Sequence, residues 1–234
     1  MRTSTAKTHA SSSAYDRAVT WQPARLAHPR FARVADLVAR IAGEPDWPSI
    51  AMLNACFADE FATAGVRLVE AAKSKPALGA DGVIDPLTLY EVRIVSLGEI
   101  PTRPCNAHDL LNALVWAAFP QAKLALSRAL ADVQRARAAG RARLPATRTR
   151  DHDRLALVDE GGVVCAGGST WIFGHALYEH AYAGDLAVRG SAIDLDVPGL
   201  DGLAPVAARA AVDLALASSD LASAVRPGPG IPVE

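Results

Sequence analysis

Cysteine is scarce in this chain: Cys56, Cys105 and Cys165 are the only three, they stand far apart, and no two form a CxxC pair. That excludes a disulfide framework and a zinc knuckle, and makes buried, reduced thiols the expectation. No run of 18 apolar residues occurs, so no membrane-spanning helix is expected. Residues 1–13 are rich in Ser, Thr and Ala and lack the apolar stretch of a secretory signal, which points to a cytoplasmic protein. No charge surplus exists either: the formal net charge is −1. Such a chain has no global field to attract nucleic acid or an anionic membrane, so neither is an expected partner and any anion site must be local. Aromatic residues are few, at 6%. The arginine run Arg135, Arg137, Arg141, Arg143, Arg148 and Arg150 therefore has no interleaved rings on which bases could stack. Asp151 and Asp153 follow it at once, and a solvated loop is the expected reading.

Half of the 234 residues are hydrophobic and 21% are charged, enough for a sizeable core. The expected class is α/β of the α+β type, predominantly helical, with a small β-sheet that includes one hairpin. Residues 1–15 read as a flexible leader, 16–225 as one globular domain and 226–234 as a flexible tail. Phe31, Val34, Leu37, Val38 and Ile41 share a helical face. Ser49 is placed to cap a helix over 50–64 that Gly65 closes. Residues 66–71 read as a short strand, 74–86 as loop, and 88–97 as the better strand, by alternation. Asn106 caps the clearest helix, and Pro120 starts another that runs to Gly140. Residues 155–158 and 163–166 read as a hairpin turning at Gly161-Gly162. Ser169 or Thr170 caps a helix over 171–181, residues after Gly184 turn irregular, and 205–222 form a last helix.

Three polar units stand out against this apolar background. His108, Asn112 and Trp116 follow each other at helical i, i+4 spacing, with Asp109 in the first turn, Arg103 just upstream and Lys123 downstream. His175 and Glu179 stand one helical turn apart, a spacing that can place an imidazole and a carboxylate on one metal ion. Asp159 and Glu160 are adjacent carboxylates that could complete a three-ligand set. Each unit also has a purely structural account: a helix cap, a His–Glu helix pair, or a solvated turn. Cys105 precedes a helix N-terminus that could lower its pKa, which makes it a candidate nucleophile.

These residues carry a family resemblance. Tyr90-Glu91-Val92-Arg93, the run from Ile100 to Arg103, and the run from Asn106 to Lys123 (NAHDLLNALVWAAFPQAK) resemble a bacterial family catalogued as domain of unknown function 3025. A later LALVDEG run at 155–161 and FGHALYE at 173–179 follow in the family's order, so the likeness covers roughly residues 20–200. Ala107 stands where the family pattern has Trp, and the stretch before the FGHALYE run is shortened. The resemblance brings no assigned activity. It implies that His108, Asp109, Asn112, Asp159, Glu160, His175 and Glu179 act as a group.

Two functions stay open at this level. One is a metal-assisted hydrolase, acting on a small molecule or phosphoester. In it His108, Asp159, His175 and Glu179 hold a divalent ion; His108, Asp109, Asn112 and Glu160 serve the chemistry; and Arg103 and Lys123 steady an anion. The other is a non-catalytic binding or scaffold domain in which the same groups form an internal hydrogen-bond network. Whether the three units meet in space decides between them.

Overall fold

The computed structural model describes residues 20–71, 75–185, 187–226, 228 and 230–233; the leader expected over 1–15 lies outside them. In chain order the elements are α1 (Ala35–Val38), α2 (Ile50–Cys56), α3 (Ala58–Ala64), β1 (Arg67–Glu70), α4 (Tyr90–Leu97), β2 (Glu99–Thr102), α5 (Ala107–Ala118) and α6 (Pro120–Ala138). They continue as α7 (Arg150–Gly161), β3 (Gly162–Ala166), β4 (Ser169–Ile172), α8 (His175–Ala183), β5 (Arg189–Asp194), α9 (Pro205–Ala217) and β6 (Ile231–Pro232). Helix predominates, and the fold is α+β. Among the described residues β1 and β2 form a parallel pair, and a second sheet has the order β4-β3-β5-β6. No helix among them is long and apolar enough to cross a membrane.

The centre of the fold is α5. Every residue from Leu110 to Ala118 on it is buried. A helix that is apolar all round must be enclosed by others, and α5 is. Its entry is set locally: the Asn106 side chain accepts the Asp109 N–H at 3.1 Å, as an N-cap does. The chain then breaks at Phe119 and restarts with Pro120 in the first turn of α6, where the missing N–H costs nothing. The main hydrophobic core draws on residues from Trp21 to Val233, and Ile84, Leu89, Val92, Ala131 and Ala138 form a smaller second one.

Phe119 offers α6 no side-chain cap. The cap comes instead from α9: Asp213 accepts the Gln121 N–H at 3.2 Å and the Ala122 N–H at 2.8 Å. This satisfies two of the donors that every helix leaves open at its start. Burial pushes the Asp213 carboxyl up to about 6, against the pull of those two amides and of Arg209. A carboxyl raised in the folded state stabilises the fold at low pH and loses that contribution as pH rises through its folded value. The stability gap between wild type and Asp213→Asn should therefore shift against wild type by about 2–3 kcal/mol between pH 4 and pH 7. Urea titrations of both proteins across that range would check it; parallel curves would show the carboxyl titrating normally.

Several local expectations are corrected. Residues 90–97 form helix α4, not a strand: Val92, Ile94 and Val95 favour a strand locally, but packing along α6 overrides that propensity. Helix 50–64 is broken at Phe57 into α2 and α3. The hairpin lies one element later than expected. Residues 150–161 are helix α7, capped by Thr149 through the His152 N–H. The turn is Gly167-Gly168, both with positive φ, between β3 and β4 paired from Val163↔Ile172 to Ala166↔Ser169. Ser169 and Thr170 accordingly belong to a strand, and α8 starts only at His175. The irregular stretch after Gly184 contains β5, which pairs with β3 in parallel. The last helix ends at Ala217. The expected tail supplies edge strand β6, with Val233 buried and its carbonyl accepting from the Arg30 guanidinium.

Candidate functional site

Five helices deliver polar side chains to one place beside α5. His108 and Asn112 project from one face of α5, as their spacing dictates. Lys123 comes from the first turn of α6, Asp159 and Glu160 from the C-terminal turn of α7, His175 and Glu179 from α8, and Tyr90 from α4. A glycine permits the approach of α7 and α8. A Cβ on Gly174 would sit 2.5 Å from the Glu160 carbonyl oxygen and 2.5 Å from the Gly161 nitrogen, closer than real contacts allow. The bare backbone lets the start of α8 press on the end of α7. The His175 Nδ1 then reaches the Asp159 carbonyl at 2.9 Å.

The cluster has a sealed half and an open half. In the sealed half, Lys123, of whose side chain 4% is exposed, donates to Asp159 Oδ1 at 2.5 Å and to Asn112 Oδ1 at 2.9 Å. The ring of Trp116 lies 5.6 Å from the ammonium. Asn112 Nδ2 in turn donates to the Tyr90 hydroxyl at 3.1 Å. Lys123 and Asn112 are buried and partnered, as burial demands, while Tyr90 is exposed at the end of this network. Burial alone would raise the Asp159 carboxyl; Lys123 and His175 outweigh it and hold it below the usual carboxylate value.

In the open half, His108 Nδ1 meets Glu179 Oε2 at 3.0 Å. The two imidazoles stand edge to face at 80°, with His108 Nε2 and His175 Nε2 3.3 Å apart. Glu160 Oε2 is 3.4 Å from His175 Nε2. Glu160 and His108 give this half its opening to solvent, with 55% and 36% of their side chains exposed. Hydrogen-bond logic fixes the tautomers. Glu179 and the Asp159 carbonyl can only accept, so both Nδ1 atoms carry protons. Two Nε2 lone pairs are then left facing each other. Such a pair can share one proton or hold one metal ion. The titration behaviour fits: the Glu179 hydrogen bond raises the His108 pKa, while burial lowers that of His175.

The residues fit a metal ion. Two nitrogens bound at about 2.0–2.1 Å to a tetrahedral ion stand about 3.3–3.4 Å apart, the spacing of this pair. Ligand atoms of Asp159, Glu160 and His175 also lie within 4.8 Å of one another. Both imidazoles have their far nitrogens anchored to oxygen, the arrangement that orients metal-binding histidines.

Other expected site residues go elsewhere. Asp109 and Arg103 bind each other: the Arg103 backbone N–H and Nε reach Asp109 Oδ2 at 2.7 and 3.0 Å, and Nη2 reaches Oδ1 at 2.8 Å. The pair ties β2 to the start of α5. Cys105 is exposed, with φ of +52°. Of the arginine run, Arg137 binds the Pro145 and Thr147 carbonyls and His152, which pins the loop it begins. Tyr90 joins the cluster because residues 90–97 are helical, a placement that the alternating pattern of 88–97 does not reveal. Two cavities of the fold, of about 540 and 250 Å³, are lined by none of the cluster's residues.

No curated protein and no solved structure matches the chain. Residues 80–170, which carry Tyr90, His108, Asn112, Lys123, Asp159 and Glu160, match the family model described as "Protein of unknown function (DUF3025)", and this match supports assigning the chain to that family.

Proposed function

We propose that the protein is a metal-assisted hydrolase with a single divalent ion held by the Nε2 atoms of His108 and His175 and by Glu160. The observation that carries this reading is the pair of facing Nε2 lone pairs, each on an imidazole whose other nitrogen is already committed. Two imidazoles and a carboxylate suit zinc better than magnesium or calcium, which prefer all-oxygen sets. When bound, such an ion lowers the pKa of a coordinated water and polarises a substrate oxygen. The chain's own residues do the rest. Glu179 and the Asp159 carbonyl orient the two rings, Lys123 fixes Asp159, and the exposed side of Glu160 leaves room for water and substrate. Glu179 is thus an orienting group, and the Asp159 carboxylate lies within reach of Glu160 and His175 as a further ligand. A cytoplasmic location belongs to the same proposal, since free thiols suit a reducing compartment.

The structural reading has its own support, confined to the sealed half. Tyr90, Asn112, Lys123 and Asp159 form a closed network that joins α4, α5, α6 and α7.

The test is a zinc titration of the purified protein against a competing chelator. One equivalent of zinc should bind to wild type. Glu179→Gln removes the charge behind His108 and should weaken binding by about tenfold or more. A wild-type protein that takes up no zinc, cobalt or manganese, and whose melting temperature none of them moves, would leave the facing imidazoles as a proton-sharing pair and end the hydrolase reading.

A further inference from the structure

We infer that the open site acts on an uncharged acyl compound, an ester or an amide, and discriminates against phosphate esters; the inference rests on the one-ion reading above. Phosphoryl groups are held by surplus positive charge, supplied by arginine, lysine or a second metal ion. Here the nearby cations are already engaged. The Lys123 ammonium is enclosed, with Asp159 and Asn112 as acceptors and Trp116 beside it. The Arg103 guanidinium lies against Asp109 and Asn106. The open half itself is acidic. Glu160 and Glu179 together bring two negative charges that cancel those of one divalent ion, while Lys123 and Asp159 cancel each other. A phosphate dianion arriving at this surface would meet no net attraction and two carboxylates at short range, and like-charge juxtaposition is a strong rejecting device.

A neutral carbonyl makes no such demand. It needs one Lewis acid and one hydroxide equivalent, which a single ion supplies. In the overall step, the oxygen of water becomes bonded to the acyl carbon and the acyl C–O or C–N bond breaks. The leaving oxygen or nitrogen takes up a proton from the same water. No oxidant, reductant or second substrate enters.

Cobalt can report on this directly, because its visible bands follow its ligands. The full-length chain loaded with cobalt should show tetrahedral-type bands. Methylphosphonate, an anionic phosphoryl ligand, should perturb those bands no more than it perturbs the bands of free cobalt at pH 7. With zinc, acceleration of p-nitrophenyl acetate hydrolysis over buffer and free zinc should exceed that of p-nitrophenyl phosphate. Methylphosphonate that shifts the bands of the bound cobalt strongly, or a larger acceleration for the phosphate ester, would overturn the inference while leaving the metal site standing. A protein with no cobalt bands would overturn the metal reading, and this inference with it.

Discussion

Lys123→Met is expected to destabilise the protein by about 3 kcal/mol, toward the lower end of the 3–5 kcal/mol typical for breaking a buried ion pair. The ammonium is enclosed, and its departure strands the Asp159 carboxylate and the Asn112 oxygen together. A quarter of the Asp159 side chain still reaches solvent, which holds the loss to that lower end. The mechanism makes a second statement. Most of the cost comes from an uncompensated charge, so Asp159→Asn introduced into the Lys123→Met background should recover much of the loss. The coupling energy of the pair should then be of order 1–3 kcal/mol. Chemical denaturation of wild type, both single variants and the double variant would measure it. Strictly additive single losses would show that the two groups do not depend on each other, and the sealed half would lose its structural role.

His175→Ala should have the largest effect on metal binding. It deletes one of two nitrogen ligands, so zinc affinity should fall by well over the 10–100-fold typical of changes behind a ligand. It also leaves the Asp159 carbonyl without its donor, for a stability loss of about 1–3 kcal/mol. Both effects can be read from one preparation, by chelator competition and by thermal melting without metal. Acidity should act in the same direction as the substitution. The His108 pKa is raised, so its proton competes with the ion, and zinc binding should weaken as pH falls below neutrality and release protons on uptake. Undiminished zinc binding by His175→Ala would place the ion elsewhere.

Much of this was legible in the sequence where the cause is local. The Asn106 cap, the Ser49 cap and the start of α6 at Pro120 all follow from short-range backbone chemistry. So does the sharing of a face by His108 with Asn112, and by His175 with Glu179. The errors arose where a distant partner decides. Residues 90–97 carry β-branched side chains and alternate like a strand, yet form a helix because α6 offers a surface to pack on. Gly161-Gly162 imitates a hairpin turn, but Thr149 has already started a helix that ends at Gly161, and Gly162 opens β3. The cap of α6 by Asp213 spans 91 residues and leaves no trace in either local segment. Lys123 reads in sequence as a cation free to steady an anion until α7 is placed over it. The three polar units named from the resemblance stand together, although His175 and Glu179 lie outside residues 80–170 and Asp109 pairs with Arg103, and the resemblance says nothing of their division of labour. Which nitrogens point inward, and which carboxylates orient rather than bind, depends on hydrogen-bond geometry that spacing does not encode.

The contact of Gly174 with the end of α7 also bears on how this protein can change over evolutionary time. His175 and Glu179 could drift toward other donor types with some function retained, since chemistry tolerates substitutes. Gly174 has no such latitude. Any side chain there would wedge two backbones apart at the point where they touch, moving His175 away from the Asp159 carbonyl and out of register with His108. The glycine and the histidine beside it therefore answer to different pressures, one to steric exclusion and the other to reactivity. A lineage that abandoned the proposed metal site could lose the histidine while the glycine persisted as a mark of the fold.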